Sequence, residues 1–483
     1  MAERHPRQAP LCGRALAAAV AIALAVTLAG VSASSARAQQ AVRATSPGAQ
    51  LWAKLYTNRG NGGATEMAVS PNGSTTFVTG YVTALSGAED YATVAYKTAT
   101  GAQLWAKVYA GPGMGNRAAS VTVSPNGKTV FVTGQSGSAS YGYGASYATI
   151  AYNAATGAQL WARRYGTPAD GDSVAVQIAV SPNGKAVFVT GNSANSDAAG
   201  GGFDYATIAY NAATGAQLWI KRYSDHTSQV GIGAHAVAVS PNGNTVYVTG
   251  NSFVGNITQY ATIAYKAATG AQLWVKRYSG GVYGDGAAAV RVSPNGRALF
   301  VTGSINVGST TQYATVAYNA VSGAQLWAKR HGTAGSDQAH AVTVSPNGKT
   351  VLVTGTIATA NNTSARFDYA TVAYNAATGA QLWVKVYADG DGVGGYGDQA
   401  HAVAVSPNGK AAYVTGESAD GSYATTVAYS TATGAQLWAR SYNGGHYGAE
   451  AAAVAVSPTT GTVIVAGDTG SGAFDYLTIA YEG

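Results

Sequence analysis

The chain has 483 residues, of which 47% are hydrophobic and only 10% charged, with 63 glycines. That composition excludes an intrinsically disordered chain, which combines low hydrophobicity with high charge. Of the formal net charge of +7, the first 38 residues carry +3, and no later run of Lys and Arg offers a nucleic-acid groove.

In chain order, residues 1–38 read as a secretory signal peptide. Arg4, Arg7 and Arg14 make a positive leader, residues 15–31 an Ala-rich apolar stretch, and Ala36-Arg37-Ala38 a small-x-small cleavage site. So short a run of mostly small residues makes a poor membrane span. The mature chain is therefore expected to start near Gln39, exported to the cell envelope or beyond, with no span left after cleavage. Cys12 is the single cysteine and precedes the apolar stretch. A lipid anchor, disulfides, thiol catalysis and Cys-based zinc sites are thereby excluded from the mature chain. Residues 39–47 read as a short lead and 48–483 as a single domain.

From Gly48 onward one unit repeats. Trp52, Trp105, Trp161, Trp219, Trp274, Trp327, Trp383 and Trp438 each end a Gly-Ala-Gln-Leu-Trp motif, 53 to 58 residues apart. Between motifs come a turn such as Ser181-Pro182-Asn183-Gly184, a Val-Thr-Gly segment, and a segment such as Tyr369-Ala370-Thr371-Val372-Ala373-Tyr374. All read as strands. Residues 323–331 alternate faces, and Val351-Leu352-Val353 is apolar. Ala402-Val403-Ala404-Val405 is small and apolar throughout, as expected of a strand buried on both sides. Four strands per repeat, eight times, predict an all-β fold: an eight-bladed β-propeller with four antiparallel strands per blade. The domain opens on a fourth strand, residues 48–56, and ends on a third, residues 476–481. The N-terminal strand is therefore expected to complete the last blade and close the ring without an unpaired edge. A linear β-solenoid would not need this offset.

Two of the four connections are near-constant: the Ser-Pro-Asn-Gly turn and the Thr-Gly turn before Gln-Leu-Trp. Pro presets φ there, and Asn-Gly tolerates positive φ. The other two vary in length and chemistry, as in residues 192–204 and 388–399. Constant turns share one face, so the variable loops share the other, where binding surfaces are usually built. His235, His340 and His401 stand at one repeat position, five residues before the Ser of the turn, and Asp337 and Asp398 stand three residues before two of them. They are expected at the channel mouth on the loop face, either lining it or contacting ligand. The tryptophans are expected to pack between strands. The Lys or Arg two residues after each, from Lys54 to Arg440, is expected to stack on a nearby ring or form a solvated edge. Asp170-Gly171-Asp172 and Asp389-Gly390-Asp391 offer oxygen ligands for calcium, though neither completes a recognised calcium loop.

Residues 209–219, Ala-Tyr-Asn-Ala-Ala-Thr-Gly-Ala-Gln-Leu-Trp, resemble the tryptophan-docking motif of quinoprotein propellers. Residues 239–243, Val-Ser-Pro-Asn-Gly, with 246–250, Val-Tyr-Val-Thr-Gly, are similar to bacterial Tyr-Val-Thr-Asn-type propeller repeats. These resemblances cover nearly all of 48–483 and imply the fold far more than an activity. The quinoprotein likeness would imply a quinone, a calcium and an aspartate base. No adjacent cysteines exist, no Asp-box turn replaces Ser-Pro-Asn-Gly, and no Ser sits in a nucleophile elbow. The expected function is a secreted or surface-associated binding scaffold, monomeric, with a protein or polysaccharide ligand and no required cofactor. One alternative is a quinone-dependent dehydrogenase. Another is a carbohydrate or cell-wall binder using Tyr141, Tyr143, Phe253, Tyr283, Tyr396 and Tyr447.

Overall fold

A computed structural model describes residues 46–483, apart from 58–59, 85, 139–143, 167–171, 195–201, 225–231, 256, 281–283, 334, 360–366, 390–396, 420, 446–447 and 471–473. Among the described residues every helix or strand element is a strand, and there are 32. They pair into four-stranded antiparallel sheets, in the manner of a β-propeller, with one parallel pairing, Glu89 with Gly115, linking the first two. In chain order these are sheet 1 (62–109), sheet 2 (115–165), sheet 3 (173–223), sheet 4 (233–278), sheet 5 (286–331), sheet 6 (338–387), sheet 7 (399–443) and sheet 8 (449–481). Sheet 8 takes its fourth strand from Gln50–Tyr56, which pairs with Phe474–Tyr481. The first strand of each sheet packs against the first strand of the next, and that of sheet 8 against that of sheet 1. No helix of the described residues is long and apolar enough to cross a membrane.

The third strand of each sheet is central and almost wholly buried, as its alternating Tyr and Ala suggest. Its Thr is not stranded there. Thr207 Oγ1 lies 3.1 Å from Thr190 Oγ1 on the second strand, and Thr190 also donates to the Ala206 carbonyl. Such pairing removes the cost of burying a hydroxyl.

The fourth strand ties each sheet to its successor. Trp219 is 7% exposed and donates through Nε1 to the Ala267 carbonyl of sheet 4 at 2.8 Å. Gly270 lies under the same ring with φ +68°, where a Cβ would come within 2.8 Å of Trp219 Cδ2. Only glycine satisfies both demands, so this Gly recurs in all eight repeats, whereas the residue before it varies from Thr to Pro47 and Ser322. Trp52, Trp105, Trp161, Trp327 and Trp383 bond to Thr98, Ala154, Ala212, Ala376 and Thr431 in the same way. Trp274 departs from the pattern. Tyr247 donates to Ala320 O, the carbonyl at the corresponding position, and Trp274 Nε1 is left without a partner.

The basic residue after each Trp also reaches across. Arg163 donates to the Thr214 and Gly215 carbonyls at 2.9 and 2.8 Å, and Arg440 to the Gly48 carbonyl at 2.8 Å. These two arginines cap a neighbouring turn, where ring stacking or a solvated edge was expected. The Leu of Gln-Leu-Trp is skipped in the strand register, so Leu218 bulges outward and is 50% exposed. A bulge on an edge strand discourages further strand pairing.

The first strands differ from expectation. Ala402, Val403, Ala404 and Val405 are half-buried, not buried on both sides.

Candidate functional site

Every first strand carries a β-bulge at one position, opposite the Gly of Val-Thr-Gly. The bulged carbonyl segment presses on that Gly: a Cβ on Gly416 would lie 1.8 Å from the Gln399 carbonyl oxygen. The bulged residues are Thr65, Ala119, Val176, His235, Ala288, His340, His401 and Ala452. Bulges re-aim side chains, and these four polar ones are aimed alike. Thr65 Oγ1 donates to Ala118 O at 2.9 Å. His235, His340 and His401 meet Ala287 O, Ala400 O and Ala451 O through Nδ1 at 2.8, 2.9 and 3.1 Å. A carbonyl can only accept, so Nδ1 carries the proton and each ring keeps its lone pair on Nε2. Burial pushes the pKa of His340 and His401 below the usual histidine range, so both stay neutral.

The three histidines do not converge. His340 and His401 lie side by side, ring centroids 6.0 Å apart. His235, on sheet 4, is two sheets from His340 and three from His401. Asp337 and Asp398 are buried clasps rather than open ligands. Asp337 accepts from Ala358 N at 2.8 Å and from Thr333 Oγ1 at 3.0 Å. Asp398 accepts from Ala419 N at 2.9 Å and Asp389 N at 3.1 Å. Each thus joins the segment entering its sheet to the end of its own second strand, and Asp285 does the same for Gly280 and Asn306. Burial pushes the Asp398 carboxyl up to about 6, and the Asp389 and Asp368 charges add to the rise.

Sequence reasoning missed two acids beside His401, Glu417 and Glu450, and a third, Asp468, next to Glu450. Glu417 and Asp468 occupy one repeat position, directly after the Thr-Gly or Ala-Gly of the second strand, in sheets 7 and 8. Glu450 pairs across strands with Asp468. One ligand atom each from His401, Glu417 and Glu450 lies within 4.8 Å of the other two. His401 Nδ1 is 3.7 Å from Glu450 Oε1. Burial raises the Glu450 carboxyl. Burial, with the Glu450 charge adding, pushes Asp468 up to about 7. The available signal was a comparison of repeats at the residue after Gly, which reads Tyr81, Gln135, Asn192, Asn251, Ser304, Thr356, Glu417 and Asp468.

A second polar group spans non-adjacent sheets. Glu66 of sheet 1 accepts from Ser120 Oγ of sheet 2 at 2.5 Å. Burial raises its carboxyl, and the attraction of Arg291, on sheet 5, partly opposes that rise. Of the aromatics suggested as stacking platforms, Phe253 packs against the apolar cluster joining sheets 3 and 4. Tyr141, Tyr143, Tyr283, Tyr396 and Tyr447 lie outside the described residues, as do Asp170, Gly171, Gly390 and Asp391.

The family model described as outer membrane protein assembly factor BamB matches residues 204–472. The chain belongs to this family. It is a quinoprotein-like β-propeller repeat protein. Among solved structures, Sqt1 from Chaetomium thermophilum, bound to the N-terminus of a ribosomal protein, is 11% identical with a TM-score of 0.56, covering 89% of this chain and 98% of that one. A quinohemoprotein alcohol dehydrogenase from Pseudomonas putida is 12% identical with a TM-score of 0.51, covering 90% and 76%. BamB from Moraxella catarrhalis is 14% identical with a TM-score of 0.46, covering 90% and 97%. At these identities the structures testify to fold alone. No curated protein sequence matches.

The quinoprotein likeness raises a quinone cofactor, so the residues were tested against one. A tricarboxylate quinone needs cations around it. The first strands supply two guanidiniums among the described residues, Arg117 and Arg291. Arg117 is paired with Glu89, and Arg291 faces the charge of Glu66. Both first-strand guanidiniums thus already face carboxylates of this chain.

Proposed function

We propose that this BamB-family chain is an exported, non-catalytic binding propeller whose partner is an extended polypeptide held at the variable-loop end. In this reading the eight sheets are eight blades closed into a ring, with residues 50–56 completing the last one. Pairing of that strand with Phe474–Tyr481 supports closure. So does the Tyr476 hydroxyl of sheet 8, which donates to the Ala92 carbonyl of sheet 1 at 3.1 Å. The observation that carries the functional reading is the asymmetry of the two ends. One end repeats the same Trp, Gly and Pro contacts from sheet to sheet. The other varies its polar residues and loop lengths among the sheets, although Asp285, Asp337 and Asp398 recur at one position, and such variation on a fixed scaffold is how a specific surface is presented. The description of the family as an assembly factor favours a polypeptide over a small substrate.

The test is thermal unfolding and hydrogen exchange of residues 39–483 with three additions: an extended outer-membrane-type peptide, soluble cell-wall polysaccharide, and pyrroloquinoline quinone with calcium. A ligand at about a hundred times its dissociation constant adds roughly 2.7 kcal/mol. The peptide is expected to raise the midpoint and protect the loop-end amides of Asp389 and Ala419, leaving the turn at 181–184 unchanged. A shift with polysaccharide alone would replace the partner by a glycan. A shift with quinone and calcium would restore the dehydrogenase reading.

A further inference from the structure

The junction between sheets 7 and 8 breaks a rule that the other junctions keep. In sheets 1 to 6 the Tyr that begins each third-strand motif sends its hydroxyl to a backbone carbonyl of the next sheet. Tyr91 donates to Ala148 O, Tyr147 to Ala206 O, Tyr260 to Ala314 O and Tyr369 to Thr425 O, at 3.2 to 3.4 Å. Sheet 7 has one residue more in this motif, Tyr423-Ala424-Thr425-Thr426-Val427-Ala428-Tyr429. The register therefore puts Ala424 where each other sheet has the Tyr.

That substitution changes the surroundings of one acid. The residue after the second-strand Gly is the cross-strand partner of the Tyr in every other sheet, as Thr356 is of Tyr369 and Asp468 of Tyr476. Glu417 instead has Ala424 as its cross-strand partner. At the same junction His401 reaches over to sheet 8, and Glu450 stands 3.7 Å from its Nδ1. The absent phenol, the bridging histidine and the two carboxylates therefore coincide at one seam.

We propose that His401, Glu417 and Glu450 form a divalent transition-metal site that joins sheets 7 and 8, of the class that takes Zn²⁺. One ligand atom of each lies within 4.8 Å of the other two, so small side-chain rotations bring them around one ion, with Nδ1 held by the Ala451 carbonyl and the Nε2 lone pair left to ligate. A neutral imidazole with two carboxylates suits zinc, which accepts mixed nitrogen and oxygen ligands and keeps a fourth position for water. Calcium is disfavoured, because it takes six to eight oxygen ligands and no nitrogen. The site stands on its own geometry, whether or not the loop end binds polypeptide.

The test is titration of Zn²⁺ into chelator-stripped residues 39–483, followed by calorimetry and by the thermal midpoint. One equivalent is expected to bind and to raise the midpoint, and a hundredfold excess of Ca²⁺ should not displace it. Glu417→Gln and Glu450→Gln keep the shape of each side chain and are each expected to weaken binding about tenfold or more. His401→Ala should do the same. His235→Ala removes the same bulge contact on sheet 4, away from these acids, and should leave Zn²⁺ affinity unchanged. Failure of the unaltered chain to bind Zn²⁺ would overturn the proposal, as would binding that survives Glu417→Gln and Glu450→Gln together.

Discussion

The two ends of the repeat use opposite strategies. At the constant end, each sheet is fastened to the next by an apolar ring over a glycine, as Trp219 lies over Gly270. The inner turns repeat the theme, with a Cβ on Gly243 falling 3.5 Å from Pro182 of the preceding sheet. At the loop end, the fastening is polar and less uniform: the amide of Asn116 serves sheet 2, while carboxylates at the same position, Asp285, Asp337 and Asp398, serve sheets 5, 6 and 7. Apolar stacking depends on shape and repeats without alteration. Carboxylate clasps depend on which N–H groups a loop presents, so they can vary with the loop. The lesson is that stability is concentrated where the repeats agree, and adaptability where they differ.

The largest effect is expected at the constant end. Trp219→Ala removes a buried ring and an inter-sheet hydrogen bond, and should cost about 3–5 kcal/mol in urea unfolding. A cost under about 1 kcal/mol would break the comparison. Asp398→Ala should cost less, about 1–3 kcal/mol, by leaving the Ala419 and Asp389 amides unbonded. Its signature is faster exchange of those two amides, with the turn at 181–184 unaffected.

A pH dependence sharpens the contrast further. Asp468 has its carboxyl pushed from the ordinary 3.8 up to about 7, so the folded chain holds that proton more tightly than the unfolded chain does. Its contribution to stability is full below about pH 4 and is lost as pH rises through about 7. Asp398, pushed up to about 6, acts in the same direction. Unfolding free energy should therefore decline between those limits, and Asp468→Asn should flatten the decline. The smallest effect is expected at Leu218→Ser. That bulged side chain is half exposed, and its replacement should stay within about 0.5 kcal/mol.

The spacing of the eight tryptophans made the sheets legible before any coordinates, because one side chain recurs only where one environment recurs. The histidines were found for a related reason, since a rare residue at a fixed repeat position stands out. Their meaning was not legible. The bulge that aims His401 at Ala451 is a register event between two strands, and nothing in Gln-Ala-His-Ala-Val marks it. Asp337 and Asp398 were read as lining the channel mouth or contacting ligand, and only the N–H groups of Ala358 and Ala419 show what they bind within the chain. Glu417 and Glu450 were overlooked because they come from different strands, 33 residues apart.

By itself the sequence determined the strand content, the four-strand period, the glycines that must lie under a ring, and the phase by which the chain begins on a fourth strand. Those are local matters, set by side-chain alternation, turn chemistry and the steric freedom of glycine. Only the tertiary structure decided which sheets meet, and so which acids share a seam with His401. That pairing follows from packing one twisted sheet against the next, which brings together residues from different repeats that no local pattern connects.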